Sequence, residues 1–370
     1  MLADAAGPRV VLGSASRDLA QSIVPGAATL FAPRGAALAA PGGPLVVADT
    51  GHHRVLIWRQ APLTDGEPAD IVLGQPDFSG EARNAGGAVS ATSANVPVGV
   101  AIRDGMLAVA DSWNHRVLVW WSIPTRGGVA PDVVLGQGGR DAGTANRGGA
   151  VAADTLSWCS GVAFSERGLI VADTGNRRVL IWETLPQRDG APADVVVGQA
   201  DFTSRDENAG RSCGPSGMRW PHAVLTVDGT LVVADAGNNR VMVWGRVPRE
   251  NGAPCHLVFG QPDTEQNDHN RGTYWPNAST FNMPYGCALA GKTLVVADTA
   301  NSRLTGWQLD APRDAAFGLV GQPDFLAKGD NRWGLPVRDS LSWPYGVAAC
   351  ERTLVVADSG NSRVALWDLA

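Results

Sequence analysis

LVVADTGHHRVLIW, at residues 45–58, returns five more times along the chain: LAVADSWNHRVLVW at 107–120, LIVADTGNRRVLIW at 169–182, LVVADAGNNRVMVW at 231–244, LVVADTANSRLTGW at 294–307 and LVVADSGNSRVALW at 354–367. The aspartates of the six copies are Asp49, Asp111, Asp173, Asp235, Asp298 and Asp358, so successive spacings are 62, 62, 62, 63 and 60 residues. A fixed period of this length means that one supersecondary unit is copied and stacked. In every copy an apolar run ending in Ala-Asp meets a second run opening on Arg across about four residues rich in Gly, Asn and Ser, which is a hairpin signal.

Two more strands flank each hairpin. Upstream stands a short segment of the form Pro-x-Gly-Val-Ala, clearest at Pro97–Ala101 and Pro344–Ala348, whose small residues suit an inner strand crowded near an axis. Downstream comes a run ending in Gly-Gln, as in DIVLGQ (70–75), DVVLGQ (132–137) and HLVFGQ (256–261). Four strands per repeat without helical periodicity predict an all-β, six-bladed propeller with four antiparallel strands per blade. The repeats cover about 31–75, 95–137, 157–199, 219–261, 282–322 and 342–370 of one domain, 1–370. The last repeat stops before its fourth strand, and Arg9-Val10-Val11-Leu12-Gly13 matches what is missing. Residues 8–14 are therefore expected to complete the C-terminal blade and close the ring, leaving no open sheet edge.

The D-x-x-N-x-R-V core of the hairpin resembles the NHL repeat, and the surrounding GQPDF, N-R-G and P-x-G-V-A segments resemble bacterial NHL proteins with long blade-connecting loops. The resemblance spans about residues 8–370. It implies two activities to look for. One is a copper-independent lyase acting on peptidyl-hydroxyglycine, with a zinc ion held by three channel histidines beside Tyr and Arg. The other is RNA binding on a basic face. His222 is the only histidine expected at the channel entrance, so the zinc set is incomplete and no metal or other cofactor is expected. The loops carry Asp141, Asp206, Glu207, Asp268 and Asp330 among their arginines, and the chain has a formal charge of −6, which disfavours nucleic acid.

Composition narrows the setting. No run of apolar residues is long enough for a spanning helix, and the first residues lack a basic stretch followed by an apolar one, so neither membrane insertion nor export is expected. Five scattered cysteines without a C-x-x-C pair suit a reducing compartment, and a cytoplasmic location is expected.

Positions that recur in all six hairpins, or in all five of the long loops, are read as architecture, because copies spread around a ring cannot all face one substrate. That covers the repeated Asp, Arg and Trp of the hairpins, and the loop glutamines and asparagines such as Gln137 and Asn146, which can satisfy irregular backbone. His52, His53 and His115 are read as exposed turn residues. Function is sought where the copies disagree. The residue after Pro, one per blade, gives Arg34, Val98, Ser160, His222, Tyr285 and Tyr345. From these, Arg34, Ser160, His222, Tyr285 and Tyr345 are expected to form a site at the channel mouth for a small polar or anionic ligand. The blade-connecting loops, each about 20 residues, supply Arg147, Arg271, Tyr274, Trp275, Arg332 and Trp333 as a candidate surface for a protein partner, since Trp, Tyr and Arg dominate interface hot spots. Trp158, Trp220 and Trp343 are read as packing. The expected function is a non-catalytic binding or scaffold protein, with no catalytic residue assigned. The alternative is a lyase or hydrolase at the channel mouth, for which Cys159, Cys213 and His222 form a soft-ligand trio.

Overall fold

In the computed structural model, which describes residues 2–3, 7–13, 24–310 and 314–369, the chain forms six four-stranded antiparallel sheets arranged as blades. In the first, Gly35–Leu38 is the inner strand, followed outward by Leu45–Asp49, Arg54–Trp58 and Ile71–Leu73. The middle pair is in register from Leu45 opposite Trp58 to Asp49 opposite Arg54, so the repeated Asp and Arg face each other where the hairpin turns. The turn is a single 3-10 turn, Thr50–His52, followed by His53 in the left-handed region at φ 52°. The equivalent residues His115, Arg177, Asn239, Ser302 and Ser362 share that conformation.

The last blade is completed by the N-terminal strand. Val10–Gly13 pairs antiparallel with Arg363–Asp368, Val10 opposite Leu366 and Gly13 opposite Arg363, and Val10, Val11 and Leu12 are buried. Around the axis each blade meets the next by backbone contact. A Cβ on Gly161 would lie 2.6 Å from the carbonyl oxygen of His222, one on Gly286 2.4 Å from that of Tyr345, and one on Gly346 2.4 Å from that of Arg34. The glycine of Pro-x-Gly is thus a point of close backbone approach between neighbouring blades, and Ala223 stands there in blade four. Hairpin hydroxyls tie the same junctions, with Thr50 Oγ1 donating to the Pro97 carbonyl at 2.7 Å and Thr299 Oγ1 to that of Pro344 at 2.7 Å.

The repeated polar residues form one buried network per blade. In blade three, Arg178 Nε donates to Asp173 Oδ2 at 2.8 Å, while its Nη atoms donate to the carbonyls of Phe202, Ala152 and Thr155 in the two flanking loops. Asp173 also accepts from the Ser157 amide at 2.7 Å and from Asn176 Nδ2 at 2.7 Å. Asn176 then exchanges amide hydrogen bonds with Asn146 of the incoming loop, at 2.8 and 3.0 Å. Both charged groups of this network, Asp173 and Arg178, have partners, which is what burial of charge requires.

His52 departs from the sequence expectation. It occupies the asparagine column, is fully buried, and places Nδ1 2.8 Å from Asp49 Oδ2. His53 and His115 are half-buried and accept from the amides of Val96 and Trp158 through Nδ1, at 3.0 and 2.8 Å. The ring nitrogens satisfy loop backbone that would otherwise go unpaired.

Candidate functional site

The inner-strand entrances, the hairpin turns and the long loops all lie at one end of the ring. At its axis, four of the five sequence-predicted mouth residues stack on one another. The His222 ring lies 4.3 Å from that of Tyr285 and 5.4 Å from that of Tyr345, centroid to centroid. Tyr285 and Tyr345 are stacked at 4.4 Å, and the Arg34 guanidinium carbon lies 4.6 Å from the Tyr345 ring centroid. Ser160 does not join them. It is buried, with Oγ 2.9 Å from Thr174 Oγ1 in the wall between blades.

The stack fills the axis at this end. Beyond it the channel widens into a cavity of about 1630 Å³, lined by inner-strand residues such as Ala37, Ala163 and Leu289, with Arg103, Glu166 and Arg249 near its outer rim. The propeller is therefore stoppered at the loop end and open at the other.

The stopper has a defined charge. Burial first, then the Arg34 cation, brings the His222 pKa down to about 3, so the imidazole is neutral. Burial, then the neighbouring Tyr345 phenol, pushes the Tyr285 hydroxyl well up. An unfolded chain takes up a proton on this histidine near pH 6.5, whereas the folded one waits until about pH 3. The unfolded state therefore binds the extra proton across that window, and stability falls as pH drops through it, by at most about 1.4 kcal/mol per pH unit. His222→Gln is expected to flatten this part of the acid slope, read from urea midpoints at pH 7, 5 and 4; equal slopes for the two proteins would show that His222 is not held neutral.

The loop candidates divide into two groups. The arginines are paired within the fold: Arg147 with Asp154 at 2.5 Å, Arg271 with Asp314 at 2.5 Å and Arg332 with Asp339 at 2.8 Å. The aromatic residues are not absorbed in this way. Trp333, Tyr274 and Trp275 are 69%, 61% and 54% exposed. Lys328, which the sequence did not single out, joins their two loops by donating to the Tyr274 carbonyl at 2.9 Å while its Nζ lies 3.5 Å from the Tyr274 ring centroid. Trp158, Trp220 and Trp343, read from the sequence as packing, are 42%, 36% and 39% exposed. Each stands two residues ahead of Ser160, His222 or Tyr345 on the same end of the ring.

Backbone geometry sets Trp333 apart. Each of five long loops carries an Asn and its successor in the left-handed region, followed in four of them by Gly86, Gly148, Gly210 and Gly272 at φ 79°, 74°, 73° and 79°. In the fifth the third residue is Trp333, at φ 63°. A bulky side chain there costs about 1–2 kcal/mol that glycine avoids. The alternation Asn-x-Gly against Asn-Arg-Trp was visible in the sequence, but its cost is apparent only once the dihedral is known.

The soft-ligand trio has a different setting. Cys159 is buried against the Arg116 carbonyl and Cys213 against that of Thr264, while His222 belongs to the axial stack. Burial pushes the thiols up, Cys255 to about 11 and Cys287 to about 12. Among the described residues no three His, Cys, Asp or Glu side chains come together as a metal-binding group. No helix among them is long and apolar enough to cross a membrane.

Comparison with known proteins agrees with this geometry. The NHL repeat family model matches residues 95–120. NHL repeat-containing protein 2 of Bos taurus is 26% identical over 343 residues, covering 88% of this chain and 37% of that protein. Its Homo sapiens counterpart is 25% identical over 284 residues, covering 71% and 37%. The chain thus spans 37% of the length of the curated relatives it matches. Among solved structures, a Bacteroides thetaiotaomicron protein of unknown function aligns with a TM-score of 0.54 at 13% identity, covering 93% of this chain and 71% of that one. Kuenenia stuttgartiensis hydrazine synthase aligns with a TM-score of 0.52 at 13% identity, covering 97% and 99%. At such identity these two speak to the fold alone. With six repeated Asp-to-Arg hairpins closed into six four-stranded blades, a match to the NHL repeat at residues 95–120 and these relatives in sequence, the chain is a six-bladed β-propeller built from NHL-type repeats.

Proposed function

We propose that this propeller, read as one domain over residues 1–370, is a non-catalytic binding module whose loop end engages a protein partner, with the axial residues Arg34, Ser160, His222, Tyr285 and Tyr345 serving a small polar or anionic ligand. A cytoplasmic setting fits its five free cysteines. The observation that carries the reading is Trp333: an indole 69% exposed, held in a left-handed backbone where the sister loops use glycine. Strain at a residue that buries little is not explained by the fold, and strained positions cluster at functional sites. Tyr274, Trp275 and Lys328 extend the same surface, and large aromatic side chains with a cation beside them are the residue types that anchor protein interfaces. Arg271 and Arg332, paired with Asp314 and Asp339, belong to the loops that present these side chains, and Arg147, paired with Asp154, to another loop at the same end.

Proximity labelling in the native host tests this. A Trp275→Ala/Trp333→Gly variant is expected to lose a defined set of labelled proteins that wild type and Leu63→Ala both retain; Leu63 is exposed in the 59–70 connection at the opposite end of the ring. The same protein set for all three would remove the loop aromatics from the interface.

A further inference from the structure

Arg34 is treated by the fold unlike the repeated hairpin arginines. Arg54, Arg116, Arg178, Arg240, Arg303 and Arg363 each give Nε to a carboxylate and further donors to carbonyls. The Arg34 side chain has no hydrogen bond and no ion pair among the described residues, and its Nε is buried without a partner. Its guanidinium carbon lies 4.6 Å from the centroid of the Tyr345 ring, whose face stabilises a cation but accepts none of its five N–H bonds.

The surroundings supply no counter-charge. The neighbours in the stack, Tyr345, Tyr285 and His222, carry no carboxylate, and the hairpin acids of its own and the preceding blade, Asp49 and Asp358, are paired with Arg54 and Arg363. The charges that act on His222 and Tyr285 come from Arg34 and a phenol, with no acid among them. A single positive charge with a vacant donor fork thus stands at the axis on the loop end. Tyr345 lies against it, and at the same end of the ring the indoles of Trp220 and Trp343, two positions before His222 and Tyr345, are exposed, as is that of Trp158.

We propose that Arg34 is the anchor of an oxyanion site at the propeller axis, and that its ligand is a carboxylate carried on a flat apolar body, the carboxylate taking the guanidinium fork and the body lying against the exposed indoles of the loop end. A guanidinium matches a carboxylate bidentately, and ring faces reward an apolar rather than a hydrated ligand. This deepens the ligand half of the function proposed above and does not depend on the loop aromatics.

The test is calorimetric titration of the whole chain at pH 7.5 and constant ionic strength with three sodium salts: benzoate, acetate and phosphate. Wild type is expected to bind one benzoate saturably, acetate more weakly, and phosphate more weakly than benzoate. Arg34→Met, which keeps the apolar stem, is expected to weaken benzoate by at least about tenfold, the loss of one charge-assisted contact, with a urea midpoint close to wild type, while Arg34→Lys recovers only part of the affinity. Benzoate binding unchanged in Arg34→Met, or no saturable benzoate binding in wild type, overturns the proposal. Phosphate bound tightly in an Arg34-dependent way without benzoate overturns the carboxylate assignment. Loss of the labelled partner set in Trp275→Ala/Trp333→Gly with benzoate binding intact separates this site from the protein surface.

Discussion

A chain lacking residues 1–13 is expected to lose about 5 kcal/mol or more of stability and to self-associate. Val10, Val11 and Leu12 are almost completely buried, and burying each such side chain is worth about 1.5–3 kcal/mol. Their strand also satisfies the backbone of Arg363–Asp368, while Arg9 adds Nε to Asp368 at 3.0 Å. Removing it leaves blade six with three strands and a free edge, which is a template for pairing with another chain. Leu12→Asp in the full chain keeps the length while placing a charge at a fully buried position, and it is expected to act in the same direction. Size-exclusion chromatography with light scattering, together with urea unfolding, reads both effects. A monomeric truncated protein with the wild-type midpoint would mean that the ring does not depend on its closing strand.

Arg178→Ala is expected to cost about 3–5 kcal/mol, several times more than removing an exposed arginine. The substitution strips Asp173 of its counter-ion inside the protein and leaves the carbonyls of Phe202, Ala152 and Thr155 without their donor. Breaking one side of a buried pair is costly because the other charge stays behind. Burial pushes the Asp173 carboxyl up while Arg178 opposes it, yet the groups around its oxygens are the Ser157 amide, the Asn176 amide and the Arg178 guanidinium. All are donors, so the carboxylate is the form this site is built for. Arg59, paired with Asp70 at the surface, is the control, and Arg59→Ala is expected to cost less than about 1 kcal/mol. Similar urea midpoints for the two variants would show that the hairpin network is not what fixes the loops to the blades.

Much of the fold was legible because the period repeats physical necessities. A six-fold Asp-to-Arg turn can only be a repeated hairpin, and a strand missing at one end with its match at the other requires closure. The seven-residue inner strands, such as Pro97–Arg103, run past the short Pro-x-Gly-Val-Ala signature because nothing in the composition marks where they end. The histidine turns were misread for a specific reason. His52 sits in a column where other copies carry Asn, and both side chains reach the same aspartate oxygen, so the column, not the residue type, fixed its burial. The axial residues were legible as a set, since one residue per blade follows Pro, but their stacking was not. Whether six side chains leave an opening or fill it depends on ring sizes and rotamers around a narrow axis, which spacing does not encode. Likewise the loop arginines and aromatics look alike as interface residues in sequence, and only the positions of Asp154, Asp314 and Asp339 separate those that brace loops from those that remain exposed.

The proposal that columns on which the repeats agree hold the ring, while departures at the loop end face a partner, is tested most directly by the thermal and urea midpoints of Trp333→Gly. Glycine removes an exposed indole and relieves a left-handed backbone, so the variant is expected to be more stable than wild type by about 0.5–1 kcal/mol. A variant less stable than wild type by more than about 1 kcal/mol would contradict it, because the indole would then belong to the architecture, packed over Gly329 to hold the loop.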